Sequence, residues 1–139
     1  MKKFLTALAV VSIIPLLMGM GGILGEDSPD KIPLPDEKFN AVYIDQFNVT
    51  TECTNVSIQG KSFIEGKRGE GTYAIPFQNV TSVIFLMRNG TLEGHVTLKD
   101  GIEMILVLKG DQKAYGKTRY GTFQIKLGDL KKMVFTERD

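Results

Sequence analysis

Beyond residue 38 the chain reads as strands. In 122–127 the apolar Phe123, Ile125 and Leu127 alternate with Thr122, Gln124 and Lys126, a period of two that sends one set to each face of a strand. Tyr73, Ile75 and Phe77 make the same pattern 50 residues earlier and are expected to share one face of their strand. Each run leads into a short turn, 78–81 or 128–132, that carries one inward apolar residue, Val80 or Leu130. Strands are expected to follow at 82–87 and 133–136, with a single helical turn as the bridge. Asp100-Gly101 lies between β-rich flanks and predicts a two-residue hairpin loop, because both residues tolerate positive φ; Arg88-Asn89-Gly90 predicts a second turn of that kind. No segment after residue 38 has an apolar period of 3.6 long enough for a substantial helix.

The two strand-rich runs are related. Laid over each other at a spacing of 50 residues without a gap, 66–85 and 116–135 share Gly66/Gly116, Lys67/Lys117, Gly71/Gly121, Thr72/Thr122, Ile75/Ile125 and Phe85/Phe135. Apolar positions between them also correspond, including Val80 with Leu130 and Val83 with Met133. Two copies are too few for a solenoid, which needs several stacked units to cover its core. The expected fold is therefore all-β: a small barrel or sandwich from two related strand-turn-strand units, about 44–86 and 94–136, placed by a pseudo-twofold within a β domain at 39–139.

Ahead of that domain the pattern changes. Lys2 and Lys3 give a positive start, and 4–18 then run without a charge, which is the layout of a secretory signal peptide over 1–25, expected as a leader helix. Gly19 and Gly21 satisfy a small-x-small rule for cleavage after Gly21, and cleavage after Gly25 is a second option. Retained, the apolar stretch 4–24 approaches the length that crosses a bilayer and would act as a membrane anchor. Residues 26–38, with Pro29, Pro33 and Pro35 among many charges, suit a flexible spacer. The expected location is outside the cytoplasm, in a periplasm or at the cell surface, with the membrane involved only through an uncleaved N-terminal segment.

Composition narrows the function. Removing the leader leaves 15 bases against 16 acids, so the mature chain lacks the basic excess of a phosphate-backbone binder and no nucleic-acid partner is expected. Cys53 is the only cysteine and His95 the only histidine. An intramolecular disulfide is impossible, and the usual zinc and nucleophile-base sets lack members, so no metal or cofactor is expected. Cys53 is either a buried spectator or an intermolecular thiol.

Four candidate features remain. Lys67, Arg68, Lys117 and Arg119 lie on the paired loops 66–71 and 116–121 and could form a symmetric anion-binding site, diluted by Glu65, Glu70 and Asp111. His95 stands between Glu93 and Asp100, a carboxylate-oriented base in principle but without a nucleophile beside it, and so read as a surface residue. The segment 110–118 resembles a phosphate-binding loop, yet it has five residues between its glycines where four are needed and leads into a strand instead of a helix. Asn48, Asn55, Asn79 and Asn89 each begin Asn-x-Ser/Thr and are possible glycan acceptors in an exported chain.

The segments GTYAIPFQNVTSVIF (71–85) and YGTFQIKLGDLKKMVF (120–135) resemble the closing part of SH3-like small barrels, in which a glycine, an apolar strand, a helical turn and a last short strand follow in order. They are also similar to a strand-turn-strand tail of uncharacterised exported bacterial proteins. The resemblance implies a β-turn-β ending and no activity; the aromatic groove that grips polyproline in SH3 domains has no counterpart here. The reading is an exported, non-catalytic binding or assembly module acting on a protein or envelope polymer through strand edges or loops. The alternative is a small-ligand protein or hydrolase with a site assembled from distant loops.

Overall fold

The computed structural model describes residues 32–137, so the predicted leader helix and the first part of the spacer lie outside the described residues. Ten strands follow: β1 (Asn40–Asp45), β2 (Thr50–Ile58), β3 (Phe63–Arg68), β4 (Gly71–Pro76), β5 (Val80–Arg88), β6 (Thr91–Leu98), β7 (Glu103–Leu108), β8 (Lys113–Thr118), β9 (Gly121–Lys126) and β10 (Leu130–Thr136). Among the described residues the helices are two 3-10 turns, Phe77–Asn79 and Leu127–Asp129, at the predicted bridges. Val80 and Leu130 beside them are fully buried, as their inward assignment requires.

All pairings are antiparallel and form one sheet in the order β4-β3-β7-β6-β5-β10-β1-β2-β8-β9. This corrects the expected closed barrel or sandwich: β4 and β9 are the free ends of a single sheet curled into a half-barrel. The reason lies in the alternation. The strands direct an apolar face to one side, although β5 and β7 also carry Ile84, Leu86, Ile105 and Val107 on the outer side, and with no second layer to cover the inner face the sheet curls until that face packs on itself. On β6, for example, Leu92, Gly94 and Val96 are buried while Glu93, His95 and Thr97 point to the other side.

Contacts across the curl hold it. Tyr43 of β1 stacks on Phe123 of β9 with ring centroids 5.7 Å apart, although β2 and β8 lie between those strands in the sheet. The Tyr43 hydroxyl also donates to the Tyr115 carbonyl of β8 at 2.9 Å. At the other end of the core Phe77 meets Phe39 at 5.7 Å and Phe135 at 4.8 Å. Phe77 and Leu127, each fully buried, belong to the 3-10 turns that carry the chain from an edge strand back to the central pair β5 and β10.

Turn chemistry sets the hairpins. Asn89 (φ 53°) and Gly90 (φ 77°) are both left-handed and close β5 onto β6 with Arg88 opposite Thr91, the type I′ geometry their residues favour. The Asp100-Gly101 turn differs from its two-residue expectation. Leu98 donates to the Ile102 carbonyl and Gly101 to the Leu98 carbonyl, so Lys99, Asp100 and Gly101 form a three-residue loop in which Gly101 alone is left-handed (φ 90°). Tyr73 is exposed, because β4 is an edge strand that the half-barrel does not close over.

Close strand crossings need glycine. A Cβ at Gly66 would lie 2.7 Å from Leu106 Cβ and 2.8 Å from Leu108 Cδ2, and one at Gly116 would lie 2.6 Å from Cys53 Cβ. These are the crossings of β3 over β7 and of β8 over β2. Gly66→Ala and Gly116→Ala are each expected to lower unfolding free energy by about 1–3 kcal/mol in urea denaturation, from overpacking against side-chain stems that cannot swing aside. Gly71→Ala, whose new Cβ would meet only the Arg68 carbonyl at an ordinary 3.8 Å, should change it little.

Candidate functional site

A cleft opens where β2 changes partners. Its first half pairs with β1 through Thr50 to Cys53, its second with β8 from Thr54 to Ile58, and the register shifts between Thr54 and Ser57, where Asn55 takes φ 51°. Past that bulge β8 stays with β9 while β2 follows β1, so the tip of the β8–β9 hairpin stands away from the start of β2. The resulting cleft holds about 610 Å³ and is lined by Glu52, Cys53, Thr54, Lys117, Thr118 and Arg119, together with parts of β1 and β10. An adjoining hollow of about 520 Å³ shares Glu52, Thr118 and Arg119 and adds Thr50 and Tyr120.

The hairpin tip is fixed from within. Thr118 Oγ1 accepts from the Tyr120 N–H at 3.0 Å and donates to the Gly121 carbonyl at 2.8 Å, which holds a turn that lacks a left-handed glycine at Arg119. Arg119 lies over the Tyr120 ring at 5.5 Å, and Tyr120 itself is 89% exposed. The cleft thus presents an aromatic face, a guanidinium, an ammonium, a carboxylate and several hydroxyls. Such a surface is suited to holding a polar chain by stacking and bidentate hydrogen bonds.

Cys53 sits at the cleft wall but is buried, and burial pushes its thiol from 9.0 up to about 12. It is therefore held as a neutral thiol near neutral pH. Tyr43 behind it is raised well above its ordinary range, chiefly by burial and secondarily by Cys53.

The structure separates the four cations predicted as one anion site. Lys117 and Arg119 join the cleft, whereas Lys67 and Arg68 lie on β3, with six strands between it and β8 in the sheet order. Lys67 instead borders a hollow of about 290 Å³ between β3 and β7, with Glu65, Thr72 and Lys109. His95 is on the outward face of β6, where Nε2 meets Glu93 Oε1 at 3.1 Å and Nδ1 meets Glu103 Oε1 at 3.4 Å. Glu103 takes the place expected for Asp100, because Asp100 caps its own loop by accepting from the Ile102 N–H at 3.0 Å. Arg88 Nε lies 3.7 Å from the same Glu93 oxygen. The segment 110–118 is a loop and strand β8, with no helix to face a phosphate.

Of the possible glycan acceptors, Asn48, Asn79 and Asn89 are exposed in turns, with Asn48 Oδ1 accepting from Lys131 Nζ at 2.7 Å, and Asn55 is half-buried in the β2 bulge. Sequence reasoning missed Glu52, Thr54 and Tyr120, since nothing in the chain signals that the start of β2 lies beside the β8–β9 tip. Among the described residues no group of three or more His, Cys, Asp or Glu side chains is placed to hold a metal ion, and no helix there is long and apolar enough to cross a membrane.

Residues 35–138 match the model of a family described as "Uncharacterised protein", and the chain belongs to that family. No curated protein and no solved structure matches it, so neither comparison links it to SH3-like barrels.

Two measurements test the buried thiol. Cys53 should resist a thiol reagent at pH 8 in the native protein and react fully in denaturant. Stability should also fall as pH rises from 9 towards 12, because the unfolded chain releases the Cys53 proton near 9.0 while the folded chain keeps it to about 12. Across that window the unfolded state binds fewer protons, so alkali favours it. Thermal melts at stepped pH should show a shallower decline for Cys53→Ala than for the parent chain.

Proposed function

We propose that this chain is an exported, non-catalytic binding module of the cell envelope, periplasmic or at the cell surface, that holds a hydroxyl-rich envelope polymer in the β2–β8 cleft. The observation that carries the reading is the lining of that cleft: Arg119 over an exposed Tyr120, with Lys117, Glu52 and threonine hydroxyls around an open hollow. Opposite charges and hydroxyls together suit a chain of polar units better than a simple anion, which would favour unopposed cations. The raised thiol of Cys53 and the placement of His95 on β6, apart from β2 and β8 in the sheet order, support retention over reaction. Export is supported by the sequence, through Lys2, Lys3, the uncharged 4–18 and the proline-rich spacer.

The same proposal includes a duplicated scaffold. An offset of 50 residues carries β3, β4, the first 3-10 turn and the start of β5 onto β8, β9, the second turn and the start of β10 with the same bounds. Exchanging β1–β5 with β6–β10 by number turns the strand order into its own reverse. Both facts support two five-strand units about a pseudo-twofold that have traded their β3–β4 and β8–β9 hairpins. A crystal structure in which 63–85 and 113–135 superpose poorly would count against it.

Co-sedimentation with purified insoluble envelope polymer tests the binding. The full chain should pellet with it, and Arg119→Ala or Tyr120→Ala should weaken retention roughly tenfold, the loss of one well-placed anchor. No retention, or equal retention by the variants, would contradict the assignment. N-terminal sequencing of the mature protein tests export separately: a start at Gly22 or Glu26 is expected for a cleaved leader, and a retained Met1 or Lys2 would indicate the anchor instead.

A further inference from the structure

We propose that the free edge of β4 pairs with the β4 edge of a second copy of this chain, giving an antiparallel dimer about a twofold axis at Tyr73. The hairpin geometry says which backbone groups are available. β3 and β4 are joined by the two-residue loop Gly69-Glu70, with Arg68 opposite Gly71 as the closing pair. In such a hairpin the closing pair is hydrogen-bonded and the pattern alternates, so Gly71, Tyr73 and Ile75 bond inward to β3 while Thr72, Ala74 and Pro76 direct their backbone groups outward. No strand among the described residues covers that side.

Natural sheets guard such an edge with charges, bulges or proline. Here the segment 72–76 carries no charge, lies in regular register with β3, and has proline only at its end. Pro76 lacks an N–H, so it sets the register. With Tyr73 facing its own copy, Thr72 and Ala74 of one chain exchange bonds with Ala74 and Thr72 of the other, four in all, and Pro76 needs to donate none. A shift by one pair towards Pro76 would call on its missing donor, and a shift the other way would call on Glu70 in the hairpin loop.

Side chains favour the same arrangement. Tyr73 is 41% exposed and stands opposite Gly66, leaving its ring free to pack on the second copy's Tyr73 across the axis. On the other face Lys67 is opposite Thr72 and Glu65 opposite Ala74. Pairing Thr72 with the second copy's Ala74 therefore puts Lys67 in one cross-strand row with that copy's Glu65, about 14 Å apart over two short side chains, a distance two long side chains largely span. The axis repeats this complementarity, so each interface has it twice. The β9 edge is less suited, since Phe123 at the matching position is partly covered by its stack on Tyr43 and Lys126 adds charge.

Sedimentation equilibrium of the full mature chain, from about 1 µM to about 1 mM, reads the dimer directly. A monomer–dimer equilibrium is expected. Ala74→Pro removes a donor from each copy and should weaken it at least tenfold with the melting temperature unchanged. Ala74→Lys, which keeps the backbone donor and sets cations across the axis, should weaken it as well, and so covers the case in which the proline variant folds poorly. Glu65→Lys alone should weaken the dimer, and Glu65→Lys combined with Lys67→Glu should restore it. A monomer at every concentration, a dimer indifferent to both Ala74 variants, no recovery in the charge swap, or open-ended polymers formed by β4 on β9 would each overturn the proposal.

Discussion

A single sheet has only itself to bury its apolar face against, and the molecule is organised by that constraint. The inner face of the ten strands is apolar, and the curl that hides it brings β1 against β9 through Tyr43 and Phe123. The antiparallel pair β5 and β10 lies in the middle of the order, with Val83 opposite Met133 and both buried. The core is therefore continuous across the centre of the chain's two halves, and its ends are stopped by Phe77 and Leu127 in the two 3-10 turns.

The surface features follow from the same curl. A half-barrel that does not close keeps two edges, and a strand such as β2 that serves two neighbours in turn must bulge where it changes from one to the other. The edges offer backbone, and the bulge opens a cleft. What lies inside is chemically quiet: burial keeps the Cys53 thiol protonated, and the Tyr43 hydroxyl is held by a carbonyl.

Local pattern was legible and long-range placement was not. The period of two located the strands, Asn89-Gly90 announced its turn, and Val80 and Leu130 were recognisable as inward residues between strands. Whether the sheet closes depends on which distant strands meet, and no residue of β3 advertises that its neighbour is β7. For the same reason alternation gives the face of Tyr73 but not whether anything covers that face. The loop at Asp100-Gly101 is longer by one residue than its dipeptide suggests, and that residue moves Glu103, not Asp100, beside His95. The cleft was out of reach because Glu52 and Arg119 come from strands that meet only through the whole topology.

The central claim is that the two halves of the chain share one core across the β5–β10 pair and unfold together. Residue-resolved native-state hydrogen exchange under increasing denaturant tests it most directly. Amides of Val83, Phe85, Val96, Leu106, Ala41 and Met133, from strands of both halves, are expected to converge on one opening free energy equal to that of global unfolding. Two separate plateaus, one for strands β1 to β5 and another for β6 to β10, would contradict it.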